Sequence, residues 1–317
     1  MMALAVIPAG CVRQPAGSGE PPRAIVRLDC ALADPASGLD SLEQSAFAAW
    51  MEMNGIPSAT QADRAVYAAS APVRVFQPDV DSLLAPLDSV ERILGHALAA
   101  YGDSLLRLMA VVSPYNQSVC FHRGGGYVFI ALNHYLGRDY AGYAGRFPAY
   151  MLHRKDLRRL PSDVMETVMA SVSPEQIRPG ATFLNRMLYS GALAYCVLQT
   201  MPEGTPESVV LGLTDSQWQW CVDNEERLWR SLIERQLLYS SDPAVADRLL
   251  RPAPASPLLG PSVPGQAACF IGLRVVQAFA GKYPGKATPG YLLSPEFYNS
   301  DSSLMQSQYN PRNGQQR

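Results

Sequence analysis

The residue types that bind metals or act as nucleophiles are present but scattered. Six cysteines (Cys11, Cys30, Cys120, Cys196, Cys221, Cys269) and four histidines (His96, His122, His134, His153) contain no Cys-x-x-Cys pair and no two histidines four apart. Their spacing therefore spells neither a zinc ribbon, nor a redox dithiol, nor two imidazoles on one helix face. The cysteines read as small buried hydrophobes. No Gly-x-Ser-x-Gly elbow offers a serine to a histidine and an aspartate. Gly124 to Gly126 lack the lysine and the following helix of a phosphate loop, and read as a hairpin turn. Cys11 differs from the rest. Met1 to Gly10 is an apolar run ending in Ala9-Gly10 directly before Cys11, the small-small-Cys pattern at which a bacterial lipoprotein signal is cut and the cysteine becomes the lipidated first residue. No later segment approaches the ~20 uninterrupted apolar residues of a membrane span, so the expected attachment is a tether.

Glu225 is the second residue of chemical interest. If residues 214–240 form one helix, Trp218, Cys221, Val222, Trp229, Leu232 and Ile233 make an apolar stripe, and Glu225 falls inside it. A carboxylate there must be paired or hydrogen-bonded. It is either a general acid or ligand, or a buried hub joining helices, and the hub is favoured because the available partners are Arg and Tyr side chains.

The elements that would position these residues follow from periodicity. Residues 12–23 (VRQPAGSGEPPR) form a Pro-, Gly- and Ser-rich tether, and the folded body begins near Ala24. Ala24 to Leu28 and Val73 to Phe76 read as short strands, Asp40 to Met53 and Asp88 to Tyr101 as helices. Leu106 to Val112, Ser118 to His122 and Tyr127 to Leu132 alternate as strands of a small antiparallel sheet. From Pro161 the chain is helical, with helices expected over Ser162–Ser173, Ala181–Gln199, Thr214–Ser240, Pro243–Leu250 and Pro264–Ala280. Ser162 and Thr214 are the expected N-caps, Gln217 completes a capping box with Thr214, and Pro264 suits a first helical turn. The fold class is thus α+β, mostly α, as one domain over 24–317, with a sheet-containing part over 24–160 and a helical part over 161–317.

Composition narrows the function classes. With 26 Lys+Arg against 28 Asp+Glu the net charge is −2, which argues against nucleic acid as a partner. A hydrophobic fraction of 48% with 17% charged residues describes a globular body with much buried surface.

Several blocks in order then carry a resemblance: Leu132 to Arg154 with Tyr135-Leu136-Gly137, Leu188 to Tyr195, and Leu211 to Trp229 with Trp220 and Asn224-Glu225. Leu238-Tyr239, Pro264 to Phe279 with Ile271-Gly272, and Ser307 to Pro311 complete it. Together they resemble the gliding-motility-associated lipoprotein GldB family of Bacteroidota. That family is similar in layout to predicted zinc peptidases, in which one helix carries His-Glu-x-x-His and the next a third, glutamate ligand. The resemblance implies a zincin-like helical core, but at the corresponding places stand Met165, Glu166 and Met169, and Ser190 in place of the carboxylate. Neutral thioethers and a hydroxyl do not make a zinc site, which needs three N, O or thiolate ligands and an open position. Read without the family, Met165, Val168, Met169 and Val172 are a core stripe and Glu166 a surface carboxylate.

The expectation is a non-catalytic lipoprotein that binds no stoichiometric zinc, needs no cofactor and shows no peptidase activity. It would be held to the membrane on the periplasmic side or cell surface through Cys11 and act through other envelope proteins. The resemblance implies a link to gliding motility or its secretion machinery. A metallopeptidase with other ligands and a small-molecule-binding lipoprotein are the alternatives.

Overall fold

A computed structural model of the chain describes residues 21–84, 86–103 and 105–311. These fall into two compact units, one comprising 21–144 and 155–171, the other 145–154 and 172–311. The protein is mostly helical, with one small sheet in its N-terminal half.

The first unit holds the sheet: β1 (Ile25–Val26), β2 (Arg107–Val111), β3 (Val119–His122) and β4 (Tyr127–Ala131), in the order β1-β2-β4-β3. The expected antiparallel sheet is mixed. β1 runs parallel to β2 and β2 parallel to β4, and only the β3–β4 hairpin is antiparallel, pairing His122 with Tyr127. Alternation identifies a strand but not the direction of its neighbour, which the connections set: β1 and β2 are joined through five helices, a crossover that permits parallel pairing. The glycine run does turn the hairpin, with Gly126 at φ 65°. β4 is buried along all five residues, as a strand with neighbours on both sides requires.

Around the sheet lie α1 (Leu28–Ala33), α2 (Ser41–Met53), α3 (Gln61–Ala69), α4 (Ala71–Leu83) and α5 (Asp88–Tyr101), and the unit also takes in α6 (Leu160–Val172). Asp40 and Glu43 close a reciprocal capping box at the start of α2. Leu28, Leu32, Phe47 and Trp50 pack on Met109, Val111 and Phe129, with the Trp50 and Phe129 rings 5.1 Å apart. Three expectations fail here. Val73 to Phe76 is helical, because the apolar pattern runs on as Val73, Phe76 and Val80 at helical spacing after Pro72 in the first turn. The strand expected over 24–28 is two residues long and gives way to α1. Ser162 is no cap but lies buried in the first turn of α6, which starts two residues earlier at Leu160.

In the second unit α7 (Phe183–Thr200) and α12 (Ala267–Lys282) are buried along most of their lengths. They cross at two glycines: a Cβ on Gly191 would lie 2.2 Å from the Gly272 carbonyl carbon, and one on Gly272 would lie 2.5 Å from the Met187 oxygen. Only residues without side chains permit that approach. Between them run α8 (Glu207–Leu211), α9 (Asp215–Asp223), α10 (Glu225–Glu234) and α11 (Pro243–Leu250), and beyond them α13 (Pro289–Leu292), α14 (Pro295–Tyr298) and α15 (Ser302–Ser307). The Thr214–Gln217 capping box is present at the start of α9. The single helix expected over 214–240 is broken at Asn224, whose side-chain amide donates to the Trp220 carbonyl at 2.8 Å and competes with helix continuation. Pro264 precedes the helix it was expected to open, since Gln266, in a left-handed conformation at φ 61°, caps α12.

Candidate functional site

On α6, Met165 and Met169 are fully buried beside Val164 and Val168. Glu166 lies at the edge of that face and is held by Arg159, whose Nη2 donates to Glu166 Oε2 at 2.7 Å. Arg159 Nε donates to Asp163 Oδ1 at 2.6 Å, and the Tyr135 hydroxyl donates to Asp163 Oδ2 at 2.9 Å. Arg159 is 3% exposed. Burial works against its charge, but the Asp163 and Glu166 carboxylates outweigh it and hold the guanidinium pKa above its ordinary value. Burial, aided by Asp163, pushes the Tyr135 phenol well up. The carboxylates of α6 are therefore gathered round a buried cation, which ties the segment before the helix to the helix itself. Ser190 belongs to the second unit, where its Oγ donates to Cys269 Sγ at 3.5 Å, linking α7 to α12.

Near this network sits a pair that sequence reasoning missed. His134 and Lys155 are both buried, with Lys155 Nζ 2.6 Å from His134 Nδ1 and His134 Nε2 2.8 Å from the Tyr115 carbonyl. An ammonium can only donate, so Nδ1 accepts and Nε2–H donates to the carbonyl, which fixes a neutral tautomer. Burial, then the Lys155 charge, lower the imidazole pKa to about 4. Residues this far apart in sequence leave no spacing signal. Arg159 and Asp163, at i and i+4, were the available clue.

Glu225 is the first residue of α10, one position after the break, rather than a point inside a continuous stripe. Its Oε1 accepts from the Tyr309 hydroxyl at 2.8 Å, and Oε2 lies 3.8 Å from Arg274 Nε on α12. Arg274 Nη1 donates to Gln277 Oε1 at 3.0 Å and lies 3.5 Å from Glu207 Oε2, while its guanidinium covers the Trp218 and Phe270 rings. Trp229 meets Tyr309 edge-on at 5.1 Å between centroids. Burial and the Glu225 carboxylate push the Tyr309 phenol well above its usual range. One guanidinium shared by two carboxylates, with a protonated phenol, is suited to joining α8, α10 and α12 to the tail, and offers no nucleophile with a base beside it.

A surface groove of about 420 Å³ lies in the first unit, lined by Glu52, Ile56, Pro57, His122, Gly125 and Tyr127. His122 Nε2 is 3.4 Å from Glu52 Oε2, and its Nδ1 accepts from the Gly125 amide.

The described residues thus define a mostly helical α+β protein in which the buried Arg159 is paired with Asp163 and Glu166 within one unit. The family model of gliding motility protein GldB matches residues 47–311, and the chain belongs to that family. No curated protein and no solved structure matches it. No helix among the described residues is long and apolar enough to cross a membrane, and Cys11 lies outside the described residues.

Proposed function

We propose that the protein is a non-catalytic envelope lipoprotein serving gliding motility or its associated secretion machinery, held to the membrane by lipidated Cys11 and working through contacts with other envelope proteins. Family membership supports the setting. The observation that carries the non-catalytic reading is the state of α6: Met165 and Met169 are spent on the core and Glu166 on Arg159. A glutamate polarises water for hydrolysis when a metal has lowered that water's pKa to near 7, and thioethers do not retain such a metal.

The test is complementation of a deletion strain with Glu166→Gln, which keeps the side chain's shape but removes any general base. Restoration of motility or secretion to the level of the unaltered protein, at equal abundance, is expected. Loss of function with normal abundance would instead favour a hydrolase. Crosslinking and co-purification from detergent-solubilised envelope should recover a stoichiometric protein partner, and recovery of the chain alone would oppose the contact reading.

A further inference from the structure

The surface groove of the first unit lies apart from α6 and its charge network. α2 lines it with Ser45, Ala48, Ala49 and Glu52, which share one helix face at i, i+3, i+4 and i+7. Ile56 comes from the loop after α2, and His122 and Tyr127 from the β3–β4 hairpin. The two alanines leave room that larger side chains would fill. Gly125 lets the hairpin wall close up: a Cβ there would lie 2.6 Å from the Tyr127 ring and 3.1 Å from His122 Nδ1. At about 420 Å³ the groove falls within the size range of sites that hold ligands.

The charge around it is one-sided. The Gly125 amide donates to His122 Nδ1 at 3.1 Å, which leaves the proton of the neutral ring on Nε2, facing Glu52 Oε2 at 3.4 Å. That distance is long for a hydrogen bond, and the Glu52 side chain is 75% exposed, so its carboxylate keeps acceptor capacity for a ligand. Ser58, also on the wall, donates through Oγ to Asp63 Oδ2 at 3.0 Å and sets a second carboxylate beside the groove. Residues 34–63, which span α2 and run into α3, carry Asp34, Asp40, Glu43, Glu52 and Asp63 and no Lys, Arg or His, in a chain whose net charge is only −2. Arg64 ends the run, but it is buried and spends its guanidinium on the Ala31, Asp34 and Ser37 carbonyls. The cations flanking the hairpin are turned elsewhere, Arg107 over the Tyr127 ring and Arg123 to the Ser171 carbonyl, and neither lines the groove.

We infer that the groove between α2 and the β3–β4 hairpin is a docking site for a basic, extended segment of a partner protein, with an arginine or lysine stem along Ala48, Ala49 and Ile56 and its charge on Glu52. Those two side chains meet both demands of the groove, an alkyl stem that packs on apolar surface and a cation that stays at the polar edge. A protein segment fits better than a free small cation because the groove is an open surface feature and the acidic residues stand at both ends of α2, Asp40 and Glu43 at its start and Glu52 in its last turn. Encounter is then steered by charge and falls with salt. The inference rests on the reading of the protein as one that works through contacts, and names the chemistry of one such partner.

The test titrates the isotope-labelled full chain with the peptide Gly-Val-Arg-Val-Arg-Val-Gly, followed by nuclear magnetic resonance. Binding with Kd of ~1 mM or tighter is expected, shifting the amides of Ala48, Glu52 and Gly125 and weakening as salt rises from ~0.05 to ~0.5 M. The same peptide with glutamates for the arginines should not bind. Glu52→Arg, at an exposed position that leaves folding intact, should weaken binding ~tenfold or more, whereas Glu234→Arg, the same charge change on the exposed side of α10, should leave it unaltered. No binding of the arginine peptide, equal binding of the glutamate peptide, an equal loss in Glu234→Arg or undiminished affinity in Glu52→Arg overturns the proposal. So does N-acetylarginine amide binding as tightly as the peptide, which would make the groove a small-cation site. Co-purification separates the docking site from the contact reading. A partner recovered equally by the unaltered protein and by Glu52→Arg removes the groove alone, whereas no partner recovered by either removes the contact reading and leaves the titration to decide the groove.

Discussion

Taking the hydroxyl from Tyr309 leaves the Glu225 carboxylate largely sheltered from water, with only a longer contact to Arg274. Glu225→Ala and Tyr309→Phe should each destabilise the protein by about 1–3 kcal/mol, the cost of an unsatisfied buried polar partner, against the ~0.5 kcal/mol of a surface change. Because the two side chains share one interaction, the double variant should lose less than the sum. Urea denaturation of the three variants checks this, and midpoints equal to wild type would make Glu225 a surface residue. His134 makes a different prediction. Its pKa falls from 6.5 unfolded to about 4 folded, so the unfolded chain takes up a proton that the folded one refuses. The stability held above pH 6.5 is therefore lost as pH falls towards 4, by up to about 3 kcal/mol. Lys155 and Asp163 are the charges that face it. His134→Gln should start lower at pH 7 yet give a flatter melting profile between pH 6.5 and 4, and parallel profiles would contradict the assignment.

At the scale of elements, the α7–α12 crossing depends on two absent side chains. Gly191→Ala or Gly272→Ala drives a methyl into backbone atoms that cannot swing aside, so a loss of at least about 1–3 kcal/mol is expected from overpacking. Gly281, also on α12, has open space around it, and Gly281→Ala should be neutral or stabilise by up to ~1 kcal/mol through helix propensity. Thermal melts of these alanine variants should thus move in opposite directions or, at the least, differ clearly. Such crossings mark what sequence could and could not disclose. The Thr214–Gln217 cap, the α5 stripe and the hairpin turn were legible because each is decided within a few residues. Val73 to Phe76 was misread because four residues fit either period, and the Asn224 break because an amide side chain overruled a good apolar pattern. For the candidate sites the legible part was residue type: the buried thioethers Met165 and Met169 of a core stripe, and a glutamate with Tyr and Arg partners. The lysine on His134 and the phenol on Glu225, 21 and 84 positions away, were not legible, since chain-distant partners are chosen by the fold, whereas the Arg159 that holds Glu166 stands seven residues before it and left its spacing to Asp163 as a clue.

For the whole molecule, attachment is the feature to establish. Cells fed a radioactive fatty acid should label the unaltered protein and leave Cys11→Ala unlabelled in the soluble fraction. Equal labelling of both, or an unlabelled native protein, would remove the anchor from the proposed function. Time is a further consequence of the fold. The Glu225–Tyr309 hydrogen bond joins residues 84 positions apart, and at about 5–20 residues per second a ribosome needs about 4–17 s to cover that stretch. Until that stretch is made Glu225 has no phenol to pair with, so the hydrogen bond that ties α10 to the tail is among the last contacts the chain can form, a clasp whose catch is forged last. A chain ending before Tyr309 would lack both the partner of the Glu225 carboxylate and the ring that covers Trp229.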